Sequence, residues 1–251
     1  MKKILNHTAI LLIALSLSSC AGERPGPVIY TPKRVLTETH QPVARRDTYH
    51  IVAPGETLWH LSRAYDVDLK DIAAANWIKT NTELKSGQHI LIPNAAPVKP
   101  IIPLFPSDKW KYIIIHHTAT DTGSALLLDK SHKNKGWAGL GYHFVINNNT
   151  EGKPDGHLES SLRWLRQENG AHCKASGMNE KGIGIAIVGN FSNVYVSRKQ
   201  LITLVYTVNV LKKYYNIPNS NIMGHRDVCG ANTECPGTHF PWQEFISRID
   251  K

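Results

Sequence analysis

The sequence contains no apolar run of membrane-spanning length, no HExxH motif, few cysteines and a deficit of acidic residues. The run from Ile10 to Leu17 is too short to cross a bilayer as a permanent helix. The absence of HExxH argues against the zinc peptidases that place two histidines on one helical face. Cysteine occurs only at positions 20, 173, 229 and 235, so if one thiol is used elsewhere the rest cannot all pair. Asp and Glu number 20 against 29 Lys and Arg, a formal charge of +9, which suits an anionic partner.

At 251 residues, 41% hydrophobic and 20% charged, the chain has material for one sizeable core and a smaller module. Its start has the pattern of a signal segment: Lys2 and Lys3, then the apolar run, then "LSLSSCAG". Leu17, Ser18 and Ser19 before Cys20 resemble the lipobox of bacterial lipoproteins. That resemblance implies removal of residues 1–19, a lipid on Cys20 that attaches the protein to a membrane, and export. Ala21 after the cysteine resembles the outer-membrane pattern, so the expected location is the periplasmic face of the outer membrane. An ordinary signal peptide with a chance cysteine would instead leave a soluble secreted protein. Without residues 1–19 the charge is +7, and in an exported chain it points to cell-wall polymer or anionic lipid rather than nucleic acid.

Residues 20–47 are rich in proline and charge with no sustained apolar period, and read as a tether. Residues 94–109 carry repeated prolines that favour an extended chain and separate two folded parts. Between them, residues 48–93 read as strand, helix, helix, strand. Thr57 caps a helix with Leu58, Leu61, Ala64 and Tyr65 at helical spacing, Asp68 caps the next, and "HILI" closes the unit. "YHIVAPGETLWHLSRAYDV", "IAAANWI" and "LKSGQHILIP" resemble the successive segments of the LysM module, with Glu56 where Asp is commoner. The resemblance implies binding to N-acetylglucosamine-containing glycan. Trp59 reads as a core residue, and the role of Trp77 is open between core and sugar contact.

From 110 to 249 apolar strand runs alternate with helices: "YIIIHH" (112–117), "GYHFVIN" (141–147), "GIGIAIVG" (182–189) and "NIMGH" (221–225). "ALLLDKSHKNKG" reads as a helix ended by Gly136. Ser197 and Gln200 form a capping box before a long amphipathic helix that stops ahead of Pro218. The expected fold is α/β, a central mixed sheet flanked by helices, beside the small β-α-α-β module.

Alternation along "YIIIHH" sends Tyr112, Ile114 and His116 to one face and Ile113, Ile115 and His117 to the other. Only one histidine of the pair can therefore serve a given site. Downstream, "GHRDVCGANTECPG" holds His225, Cys229 and Cys235 in a turn-rich loop, and a histidine and a cysteine there suit zinc as well as a disulfide. With Cys20 lipidated, pairing of Cys173 with Cys229 leaves Cys235 for a metal, and pairing of Cys229 with Cys235 is also open.

"YIIIHHTAT", "GYHFVIN", "GAHCKASGMNEKGIGIAIVGNF" and "GHRDVCGANTECPGTHFPW" resemble, in order, the blocks of the zinc-dependent N-acetylmuramoyl-L-alanine amidase family, which includes amidase-type phage lysozyme and the peptidoglycan recognition proteins. The resemblance implies one catalytic Zn2+ on His116, His225 and Cys235. It implies a catalytic part for Tyr142; Thr233 stands where the phage enzyme has lysine and there resembles the recognition-protein branch, and its hydroxyl is a candidate catalytic group that helps relay a proton. His172 and Asn179 are candidate substrate contacts, with a structural hydrogen bond for His172 and the fixing of a loop for Asn179 equally open, and the resemblance implies peptidoglycan glycan strands and stem peptides as partners. Two imidazoles and a thiolate leave a fourth zinc position open, as catalysis requires. Recognition members commonly lack the cysteine, so Cys235 favours an enzyme over a peptidoglycan-binding lipoprotein that does not cleave. Recycling amidases carry a carboxylate at the end of the third strand, where this chain has Ala186. His117, His143 and His239 read as scaffold.

Overall fold

The structure is a computed structural model that describes residues 28–29 and 44–249. The expected signal segment, Cys20 and most of the tether lie outside the described residues. A first short strand, β1 (Val28–Ile29), is followed by the smaller module. There β2 (Arg46–Ile51) and β3 (His89–Ala95) pair antiparallel with Tyr49 opposite Leu91, and α1 (Leu58–Tyr65) and α2 (Leu69–Ala75) lie between them in sequence. The capping expectations hold: Thr57 Oγ1 accepts from the His60 N–H and Asp68 from the Lys70 N–H, each satisfying a helix-end donor. Leu58, Leu61, Ala64 and Tyr65 turn inward onto Ile72, Ile90 and Ile92 as one core. Asn76 joins helix to sheet, donating to the Ile72 and Leu91 carbonyls and accepting from the Leu91 N–H.

The proline-rich segment does not act as a free spacer. Between its prolines stand Ile102 and Leu104, both buried in the large core, and Pro103–Leu104 (β4) pairs with β1. The Trp164 indole donates to the Pro103 carbonyl at 2.8 Å and the Tyr215 hydroxyl to that of Phe105 at 2.8 Å. Apolar residues spaced among prolines give an extended chain something to bury, so the segment straps the modules together instead of separating them.

The larger domain is built on β5 (Tyr112–His117), β6 (Phe144–Ile146), β7 (Leu158–Ser160), β8 (Gly182–Ile187) and β9 (Ile222–Gly224). Their order is β7-β6-β8-β5-β9, with β7 antiparallel and the others parallel, so the sheet is mixed and flanked by helices as expected. The helices are α3 (Ala125–Asn134), α4 (Leu162–Leu165), α5 (Met178–Lys181), α6 (Arg198–Tyr215) and α7 (Trp242–Ile249). Ser197 and Gln200 form the capping box of α6, and Asn216 in the left-handed conformation ends it. Leu204, Val208 and Leu211 of α6 are fully buried in one cluster with Ile113 and Ile115 of β5, each contributing about 1.5–3 kcal/mol of burial. The other face of β5 packs Ile114 with Cys173, Met178 and Val228. His116 shares that second face.

The modules meet over a buried joint. Ala53 belongs to an apolar cluster with Ala125, Leu128, Leu140, Val145 and Val188 of the large domain. Lys153 donates to the Ile51 carbonyl at 2.6 Å and forms an ion pair with Glu159 at 2.8 Å. Glu56 accepts from the Ala53 N–H at 2.6 Å and lies 2.7 Å from His50 Nε2. Among the described residues no helix is long and apolar enough to cross a membrane.

Candidate metal centre

The centre forms because parallel pairing sets two strands level. Ile115 of β5 stands opposite Gly224 of β9, so the next residues, His116 and His225, arrive side by side at the carboxyl ends of their strands. Their ring centroids are 4.6 Å apart. Gly224 is demanded by this approach: a Cβ there would meet Pro236, Trp242 and Asp227 side-chain atoms at 2.8 Å. The chain then loops back, and the Arg226 N–H donates to the Cys235 carbonyl at 2.8 Å, returning Cys235 to the cluster. Donor atoms of His116, His225 and Cys235 all lie within 4.8 Å of one another. His116 Nδ1 is 3.6 Å from Cys235 Sγ, and the His117 N–H points at the same sulfur from 3.3 Å.

The electrostatics of the three donors suit a divalent cation. Burial, with smaller contributions from neighbouring imidazoles, holds His116 neutral well below the ordinary histidine range, and burial lowers His225. Burial pushes the Cys235 thiol up to about 12, so without a cation it keeps its proton. Among the described residues no carboxylate enters the cluster; Ala186 is the residue of β8 opposite His116. Two neutral imidazoles and one thiol with no internal counter-charge fit zinc, whose charge would stabilise the thiolate.

Tyr142 follows Gly141 into the cluster, its ring centroid 5.2 Å from that of His116. Burial and the neighbouring Cys235 raise its pKa, so the hydroxyl stays protonated. Among the described residues that hydroxyl takes no hydrogen-bond partner, and its proton is left to a ligand. Thr233 Oγ1 accepts from the Cys235 N–H at 3.2 Å, ordering the ligand loop and keeping its own proton to donate.

Of the two readings open for His172 and Asn179, substrate contact or structural support, the hydrogen bonds they make are of the structural kind. His172 is 8% exposed, with Nδ1 3.1 Å from His116 Nε2 and Nε2 3.1 Å from the Gly182 carbonyl. Asn179 Oδ1 accepts from the His172 and Cys173 N–H groups, both at 2.8 Å. Both side chains serve the inside of the site. Residues so far apart in sequence left no local pattern from which this bond to His116 could be read.

The three described cysteines are free thiols. The expected Cys173–Cys229 bridge is therefore not formed: Cys173 is buried against Ile114, Met178 and Val228, whereas Cys229 is exposed. His143 is scaffold, accepting from the Gly184 N–H at Nδ1 and facing the Glu168 carbonyl at Nε2. His117 accepts from the Phe191 N–H, and His239 stacks on Tyr195. Trp77 is 95% exposed and is not core.

Fold and site together define an α/β protein with a three-donor centre at the carboxyl ends of parallel strands. Residues 106–238 match the N-acetylmuramoyl-L-alanine amidase family model and residues 50–93 the LysM domain model. The chain belongs to the N-acetylmuramoyl-L-alanine amidase family and carries a LysM domain. It is 32% identical to peptidoglycan-recognition protein SC2 of Drosophila melanogaster over 143 residues, 53% of this chain and 71% of that protein. It is 31% identical to an endolysin of Enterobacteria phage T3 over 100 residues, 34% of this chain and 60% of the endolysin. Among solved structures, an endolysin N-acetylmuramoyl-L-alanine amidase from Clostridium intestinale is similar, with 33% identity and a TM-score of 0.49, covering 57% of this chain and 84% of that one.

Proposed function

We propose that the protein hydrolyses the amide bond between N-acetylmuramic acid and L-alanine in peptidoglycan, using one zinc ion held by His116, His225 and Cys235. The observation that carries this reading is the convergence of all three donors, the thiol included, in a cluster without a carboxylate. A recognition protein that does not cleave has no need of the thiol. Zinc in this donor set would polarise the scissile carbonyl and lower the pKa of water at its open position.

The chain's own residues supply the rest. The Tyr142 hydroxyl, protonated and without an internal partner, donates a hydrogen bond to the oxygen that gains charge as water adds to the lactyl carbonyl. When the carbon–nitrogen bond breaks, the departing L-alanine nitrogen needs a proton. Tyr142 and Thr233 are the hydroxyl donors beside the site that can pass it on.

In this reading the LysM domain holds the enzyme on glycan strands, raising the local concentration of an insoluble substrate. A lipid on Cys20 would keep it at the periplasmic face of the outer membrane. The test is digestion of purified sacculi with zinc-loaded protein, followed by mass spectrometry. Stem peptides released with free L-alanine amino termini support the amidase; sacculi that bind the protein but stay intact support recognition alone.

A further inference from the structure

The hydrogen bonds behind His116 run in one direction. The Gly182 carbonyl can only accept, so the nitrogen 3.1 Å from it, His172 Nε2, carries a proton. No carboxylate among the described residues hydrogen-bonds or ion-pairs with either ring. A buried imidazolium would therefore stand uncompensated, and both rings are neutral. A neutral ring has one N–H, which leaves His172 Nδ1 bare. That bare nitrogen faces His116 Nε2 at 3.1 Å, so His116 Nε2 is the donor. His116 Nδ1 is then bare in turn, and it is the atom that faces Cys235 Sγ at 3.6 Å.

The seat of His172 is built to hold this order. Its ring rests where Gly170 and Gly184 have no side chains: a Cβ on Gly170 would come within 2.3 Å of His172 Cδ2, and one on Gly184 within 2.4 Å. Asn179 fixes the main chain beneath it through the His172 and Cys173 N–H groups. With both ring nitrogens occupied and 8% of its surface exposed, His172 has no group left for substrate.

We propose that His172 is a positioning residue that selects the ring nitrogen His116 presents to the metal, passing the constraint of the Gly182 carbonyl to His116 Nδ1. This rests on the zinc reading above. A fixed outer partner orients a ligating ring and raises its basicity, and losing such a partner costs roughly 10- to 100-fold in metal affinity.

Two measurements test it on the full chain. Long-range proton–nitrogen correlation spectra of the zinc-free protein report which nitrogen of each imidazole is protonated. The expected pattern is Nε2–H for both His116 and His172, and it needs no variant. Zinc affinity by chelator competition is then compared for wild type, His172→Phe and His172→Asn. Phe keeps a ring in the seat and loses both nitrogens; Asn retains an acceptor near the Nδ1 position. Affinity is expected to fall about 10- to 100-fold in His172→Phe and to recover in part in His172→Asn. An Nδ1–H tautomer on His116, or a His172→Phe protein that binds zinc as tightly as wild type, overturns the proposal while the zinc reading stands. A wild type that takes up no zinc overturns the reading beneath it.

Discussion

Two of the buried polar clusters among the described residues balance charge in opposite ways. At the joint between modules, His50, Glu56, Lys153, His157 and Glu159 contain their own compensation: Lys153 pairs with Glu159, and Glu56 with His50. Burial alone would raise the Glu56 pKa, but His50 and Lys153 together bring it well below the usual carboxylate range. At the strand ends, no carboxylate, lysine or arginine among the described residues forms a hydrogen bond or ion pair with the side chains of His116, His172, His225 or Cys235. A self-compensated cluster is complete as structure. A cluster of neutral bases and a thiol carries no charge of its own and offers its donors to a cation. On the proposed reading the same residue type, buried histidine, marks scaffold in one place and a ligand site in the other, and the neighbours decide which.

The comparison breaks most visibly at the ligands. His116→Ala and Cys235→Ser should each lose bound zinc, by elemental analysis, and lose peptide release from sacculi; full activity in either variant ends the ligand assignment. At the joint, Lys153→Met should do the reverse. Leaving Glu159 buried without its cation is expected to cost about 3–5 kcal/mol in denaturant unfolding, with zinc affinity of the folded protein unchanged. Tyr142→Phe should retain zinc and lower kcat roughly 100- to 1,000-fold, as loss of an oxyanion donor does; loss of zinc instead would make Tyr142 part of metal retention.

The smallest effect is acid sensitivity at the joint. Burial, with Lys153 next, depresses His157 to about 4 from its ordinary 6.5. The unfolded chain thus binds the extra proton first, and stability falls as pH drops from about 6.5 toward 4. At pH 5 the loss is on the order of 2 kcal/mol relative to pH 7. A His157→Leu protein should show a flatter slope between those pH values, and an unchanged slope would assign the acid sensitivity elsewhere.

The long elements were legible because one local rule determines each. The period-two alternation of "YIIIHH" assigned His116 and His117 to opposite faces, and the Ser197–Gln200 box marked the start of α6. What was hidden depended on distant partners. The strand β7 and the helices α4 and α5 have three or four residues each, too short for a period to show. The proline-rich segment reads as a spacer until its buried Ile102 and Leu104 are seen against the large core. In the site, residue types suggested His225 and Cys235 and the family resemblance added His116, whereas the inward-facing parts of His172 and Asn179 depend on loops brought together by the sheet.

The most direct test of the claim that neutral donors await a cation is X-ray absorption at the zinc edge on the reconstituted protein. The account predicts one zinc per chain with a single sulfur neighbour from Cys235 and nitrogen neighbours from two imidazoles. Zinc well below one per chain, or a coordination shell without sulfur, would contradict it.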